Sequence, residues 1–153
     1  MTKPASWATW GWDDSLPFQL RRASQAWTAL WLQRVPDLTN PQFAVLLLLG
    51  QHGALDQSEL CALASVDRST LSVLVDRLEA KGLVTKAIDP ANRRRRIIEL
   101  THAGLRRLNE AADVAAAVIN DVHAQFGPDE FRQFVRILRA LGDLSPTASE
   151  PND

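Results

Sequence analysis

Cysteine is almost missing from this chain: Cys61 is the only one in 153 residues. No intrachain disulfide can form, so nothing marks an oxidising compartment. There is no apolar run near the ~20 residues that span a bilayer. The N-terminus, MTKPASWATWGWDD, carries one lysine but no apolar stretch behind it, and so does not read as a secretory signal. The expected location is the cytoplasm. Neither sign of charge is in excess: 17 Lys and Arg stand against 18 Asp and Glu, a net charge of −1. That excludes a polycation coating nucleic acid through its total charge, so any such function must come from local clusters. The histidines, His52, His102 and His123, share no metal-ligand spacing with one another or with Cys61. There is no nucleophile elbow, phosphate loop or paired-carboxylate constellation. Neither an enzyme activity nor a cofactor or metal is expected.

What is present is an ordinary globular composition, 46% hydrophobic and 23% charged, in a chain of single-domain length that can bury a core. Tyrosine is absent, yet all five tryptophans lie within the first 31 residues. Trp7, Trp10 and Trp12 fall in an arm, residues 1–12, with no helical or strand period. Three indoles are rarely left in water, so the arm is either loosely ordered or laid on a partner subunit.

Helical spacing then predicts a first helix from Leu16 to Val35, capped by Asp14 or Ser15, with Pro17 in its first turn and Pro36 ending it. A second helix opens at Asn40-Pro41 and runs to Gly53. Its run Val45 to Leu49 is apolar all round, which makes it central. A third spans Asp56 to Ala64, with Leu60, Leu63 and Ala64 inward. After the turn Ser65-Val66, Asp67 caps a fourth helix with Leu71, Leu74, Val75 and Leu78 on one stripe. Gly82 is its natural C′ residue.

Residues 83–88 and 96–100 pair as a hairpin across a loop containing Asp89-Pro90. Thr101 caps a long helix, His102 to Val122. Gly127-Pro128-Asp129 breaks it before a last helix with Phe131, Phe134, Val135, Ile137, Leu138 and Leu141 inward. The tail, 142–153, is expected to be disordered. The fold class is therefore mainly α with a small β-hairpin wing, a winged helix-turn-helix in the order four helices, hairpin, two helices. The expected organisation is an arm and dimerisation helix at 1–35, a DNA-binding domain at 36–101 and C-terminal dimerisation helices at 102–141. The outer helices are more apolar than the centre can cover, which points to a two-fold dimer.

The centre carries the chemistry. With its apolar stripe inward, the fourth helix turns Arg68, Ser69, Ser72, Val73, Asp76 and Arg77 outward, with Thr70 at the rim. Short hydroxyls and a methyl-bearing side chain suit a helix entering a major groove. Arg93, Arg94, Arg95 and Arg96 follow in the hairpin. Alternate residues of a strand point to opposite faces, so these arginines divide between a duplex backbone or groove and structural pairs with Asp76 or Asp89. A winged-helix protein-interaction module is the competing reading. Acidic or large apolar residues on the outer face of the fourth helix would favour it.

The run VDRLEAKGLV at 75–84 and DPANRRRRIIELTHAG at 89–104 make residues 40–104 resemble the MarR family of winged-helix transcription regulators. The resemblance implies a homodimer on a pseudo-palindromic double-stranded DNA operator, with the fourth helix in the major groove and Arg94 reaching the minor groove. Arg93 and Arg95 flank it as further expected DNA contacts. Asn92 stands where the family commonly has an aspartate that steadies the wing by a salt bridge, which implies a looser or more basic wing.

Regulators of this class often bind small aromatic acids. The candidates for such an effector are Phe18, Arg21, Arg22, Trp27 and Trp31 on the first helix and His52 at the end of the second. Arg21 beside indoles suits a carboxylate with a ring. The plainer alternatives are a surface ion pair for Arg21, a dipole-favoured helix end for His52 and dimer core for the tryptophans. Cys61, in an alanine-sized helix position, reads as an inert core thiol.

Overall fold

Prolines, small polar side chains and glycines set the element ends in this computed structural model, which describes residues 11–12, 15–93 and 95–144. Helix α1 (Leu16–Arg34) has Pro17 in its first turn, where its missing N–H leaves no bond unmade. Ser15 is the N-cap residue, though its side chain makes no cap bond with a described residue. Asp14, the other expected cap, lies outside the described residues, as do Trp7, Trp10 and residues 145–153 of the expected tail. Helix α2 (Asn40–His52) is capped by Thr39, one residue before the expected Asn40. The Thr39 hydroxyl accepts from the Gln42 N–H at 3.4 Å, and the Gln42 side chain accepts from the Thr39 N–H at 3.1 Å. Asn40 has no such reciprocal partner three residues on, which is why Thr39 takes the cap.

Helix α3 (Gln57–Ala64) has a second capping box. Asp56 accepts from Ser58 and Glu59 N–H groups at 2.7 and 2.8 Å, while Glu59 accepts from the Asp56 N–H at 2.9 Å. Leu60 is its buried residue, whereas Leu63 is exposed, contrary to expectation. Three residues on from Leu60 is roughly 60° round the helix, enough to turn Leu63 off the one buried stripe. Helix α4 (Arg68–Ala80) follows, with Leu71, Leu74, Val75 and Leu78 buried as the stripe predicted. Strand β1 (Leu55–Asp56) was not expected, since two residues carry no alternation. It pairs with β3 (Arg96–Leu100), which pairs in turn with β2 (Val84–Ile88), giving an antiparallel sheet of order β1-β3-β2.

The chain divides into two units, Met1–Val114 and Ala115–Asp153. In the first, the core joins Trp31 and Leu38 to Val45, Leu46 and Leu49 of α2, the α4 stripe, Val84 and Ile98. Only Leu47 in the α2 apolar run is exposed. Helix α5 (His102–Phe126) enters the second unit at Ala115 and continues past the expected end at Val122 to Gly127, the first residue unfavourable to a helix. Helix α6 (Pro128–Gly142) completes that unit, and His123 meets Phe131 edge-on at 4.1 Å between ring centres. Of the six α6 side chains expected inward, Phe131 and Leu141 are half-buried, while Phe134, Val135, Ile137 and Leu138 are 51%, 38%, 47% and 37% exposed.

Candidate nucleic-acid interface

The interface starts from Asp67. Its carboxylate accepts from the Thr70 N–H at 2.9 Å, from the Ser69 hydroxyl at 2.5 Å and from the Thr70 hydroxyl at 2.6 Å. Those bonds, the Ser69 and Thr70 hydroxyls foremost, hold its pKa far below the usual carboxylate range. With their protons directed at Asp67, the two hydroxyls present lone pairs outward. They are thus set to accept from base amino groups. Arg68, Ser69, Thr70, Val73 and Arg77 are exposed along α4, and Ser72 is half-buried. All of the expected α4 contact residues therefore lie on its outer side or edge.

The α4 C-terminus is a Schellman turn. Leu83 N–H donates to Leu78 O at 3.0 Å and Gly82 N–H to Glu79 O at 2.8 Å, with Gly82 at φ +70°. Beyond the turn, Lys86 on β2 reaches α4. Its Nζ lies 2.6 Å from both Asp76 and Glu79, which raise its pKa by hydrogen bonding. Asp76, a suggested partner for a wing arginine, is thus paired with a lysine. At the return strand, Thr101 N–H donates to Leu83 O at 3.0 Å and its hydroxyl accepts from Gly104 N–H at 2.9 Å. A Cβ on Gly104 would sit 1.9 Å from that same Leu83 oxygen, so only glycine fits.

Within the wing, Asp89 N–H donates to Arg95 O at 3.1 Å, and Asp89 Oδ1 accepts from Ala91 N–H at 2.8 Å. Asn92 is bonded through its backbone at both ends, to Asp89 O at 3.1 Å and from Arg95 N–H at 2.8 Å. The expected loosening at Asn92 is opposed by Arg95. Its Nε donates to Asp56 Oδ2 at 2.9 Å, its Nη2 pairs with the same carboxylate, and Glu59 and Asp89 each lie 3.9 Å away. The Glu59 amide first, then the Arg95 guanidinium, hold the Asp56 pKa below its usual value. Arg95 is therefore paired with α3 and the wing root, while its side chain stays 45% exposed. Arg93 is exposed at the turn. Arg94, the expected minor-groove residue, lies outside the described residues.

Sequence reasoning missed Asp56, Lys86 and Glu79 as organisers of this surface. Asp56 was legible only as the start of the third helix, because its arginine partner is 39 residues away.

The effector candidates separate. Phe18 lies beneath two guanidiniums, Arg21 at 5.3 Å and Arg22 at 5.8 Å from its ring centre, and meets Trp12 edge-on at 4.9 Å. Trp27 is 38% exposed and His52 exposed. Trp31 is 2% exposed, donates from its indole N–H to Leu38 O at 2.5 Å and packs on Phe43 at 4.8 Å. It is a buried residue with its polar atom satisfied. Cys61 is half-buried.

Against known proteins, residues 38–95 match the MarR family. The chain is 41% identical over 131 residues to the HTH-type transcriptional repressor NicR of Pseudomonas putida, covering 84% of this chain and 83% of that one. The chain belongs to the MarR family. The winged helix agrees with that of the PcaV transcriptional regulator of Streptomyces coelicolor, solved with its natural ligand. The TM-score is 0.84 at 31% identity, over 93% of this chain and 99% of that one. It also resembles BpsR of Bordetella bronchiseptica, whose DNA binding is regulated by 6-hydroxynicotinic acid. Here the TM-score is 0.82 at 29% identity, over 89% and 99% of the two chains. This chain's relatives are transcriptional regulators. No helix among the described residues is long and apolar enough to cross a membrane.

Proposed function

We propose that this MarR-family regulator is a homodimeric repressor of a pseudo-palindromic operator, released by a small aromatic or phenolic acid. The observation that carries the DNA part is the exposed face of α4, with Arg68, Ser69, Thr70, Val73 and Arg77, beside a wing fastened by Arg95 to Asp56. Ser72 joins that face at its edge. Arg93 and Arg94 supply the wing's contacts, Arg94 in the minor groove. Residues 36–101 form the DNA-binding domain, while 1–35 and 102–141 dimerise through the exposed apolar residues of α1 and α6.

For the ligand, Arg21 and Arg22 over Phe18, with Trp27 near by on the same helix and His52 as a further candidate, supply cationic and aromatic groups suited to an aromatic carboxylate. The regulation of BpsR by 6-hydroxynicotinic acid makes that compound the first to try. Binding would shift the population away from the spacing of the two α4 helices that engages both half-sites.

The test is a salt-controlled titration of a duplex selected by the protein from a random pool. Arg94→Ala is expected to weaken binding by about 1–3 kcal/mol, and unchanged affinity would remove Arg94 from the groove. An aromatic acid should release the wild type but not Arg21→Ala. Equal release of both would dismiss Arg21 as the carboxylate clamp.

A further inference from the structure

A cleft of about 300 Å³ opens between α4 and the wing, lined by Gln57, Ser72, Asp76, Lys86 and Arg96 above Ile98. Its make-up follows from strand register. Arg96 and Ile98 are two apart on β3 and share a face, and Lys86 of β2 lies opposite Ile98. Ile98 is 2% exposed, so this face looks toward the helices. Where the apolar core ends, the same face continues with two cations. Lys86 is taken up by Asp76 and Glu79 at 2.6 Å each. Arg96 is exposed and has no ion-pair partner among the described residues. A guanidinium directed into a cleft beside Ser72, with the neighbouring acids already neutralised, is arranged for an anion from outside.

Duplex geometry supplies the anion. The major and minor grooves are separated by one sugar–phosphate strand. A protein with a helix in one groove and its wing in the next must straddle that strand, which then crosses the space between them. Phosphate contacts of this kind fix register and orientation without reading sequence.

We propose that the cleft seats one backbone phosphate, bound by the Arg96 guanidinium and the Ser72 hydroxyl. Lys86 is a positioning residue that neutralises Asp76 and Glu79, which would otherwise repel it. The seat rests on the DNA-binding reading above, and adds a backbone contact to the groove contacts of α4 and Arg94.

The test compares wild type with Arg96→Gln on a random-sequence duplex and on a selected duplex, across a range of salt. Arg96→Gln should weaken both complexes alike, by about tenfold for one lost charged hydrogen bond. It should also flatten the salt dependence by about 0.9 in slope, the value for one phosphate. Single methylphosphonate substitutions along one strand should reveal a position where wild type loses affinity and Arg96→Gln loses none further. Lys86→Met should also weaken binding, and adding Asp76→Asn and Glu79→Gln should restore it. An Arg96→Gln protein with wild-type affinity and slope would overturn the seat while leaving DNA binding intact. A triple variant that stays weak would overturn the neutralising role of Lys86. A wild type that binds neither duplex would instead remove the DNA-binding reading, and the seat with it.

Discussion

Arg95 shows how one side chain decides what its neighbours are for. It sits in a run of four arginines, and the run as a whole looks like a patch for phosphate. Its guanidinium is nevertheless held by Asp56, with Glu59 and Asp89 close by. Arg95→Ala is therefore expected to weaken DNA binding by loosening the wing while leaving the slope against salt unchanged. A slope reduced by about 1 would show instead that Arg95 neutralises a phosphate. The same contact gives an acid dependence. Asp56 has a folded pKa below its usual 3.8, so its contribution to stability is complete above that value. It is lost as pH falls through the lower folded pKa. Melting curves of wild type and Asp56→Asn should thus differ by a constant amount above pH 3.8 and converge below it. A gap that widens with acid would contradict the assignment. A substitution at Trp31 separates a core role from a ligand role. Trp31→Phe leaves the buried Leu38 carbonyl without its donor and should cost about 1–3 kcal/mol in denaturant unfolding. A change confined to ligand response would return Trp31 to the effector site.

At the scale of elements, the junctions carry the geometry. The wing leaves α4 through the turn at Gly82 and rejoins the helices at Thr101, where Gly104 passes the Leu83 carbonyl. Gly104→Ala would press a Cβ onto a backbone oxygen that already accepts from Thr101, a conflict no rotamer relieves. The expected result is destabilisation by about 1–3 kcal/mol, read from thermal or denaturant unfolding. An unchanged midpoint would mean that α5 can shift away from Leu83. The features read correctly from sequence are those whose partners lie three to five residues apart. They include the caps at Asp67 and Thr101, the turn at Gly82 and the stripe Leu71, Leu74, Val75 and Leu78. The features missed need distance or competition. Strand β1 exists only because β3 lies beside it, and the Asp56–Arg95 pair spans 39 residues. Thr39 displaces Asn40 because its reciprocal partner is Gln42. In the site, the α4 face was legible from periodicity alone. The division of labour among the wing arginines was not, since alternation does not say which side will meet a carboxylate.

The molecule as a whole has a nearly neutral charge. Phe134, Ile137 and Leu138 on α6, and Leu16, Leu20 and Trp27 on α1, are large apolar side chains left partly in water by the single chain. If these faces dimerise, Phe134→Asp combined with Ile137→Asp should yield monomers in sedimentation and lose cooperative DNA binding while keeping the fold of the first unit. Dimers that persist would place the interface elsewhere. In the proposed function, two copies of α4 read DNA together. Enrichment of duplexes from a random pool by the wild-type protein tests it most directly. The expected product is an inverted repeat whose half-site centres lie about one helical turn, roughly 34 Å, apart. Enrichment of a single unrepeated half-site, or of no sequence at all, would contradict it.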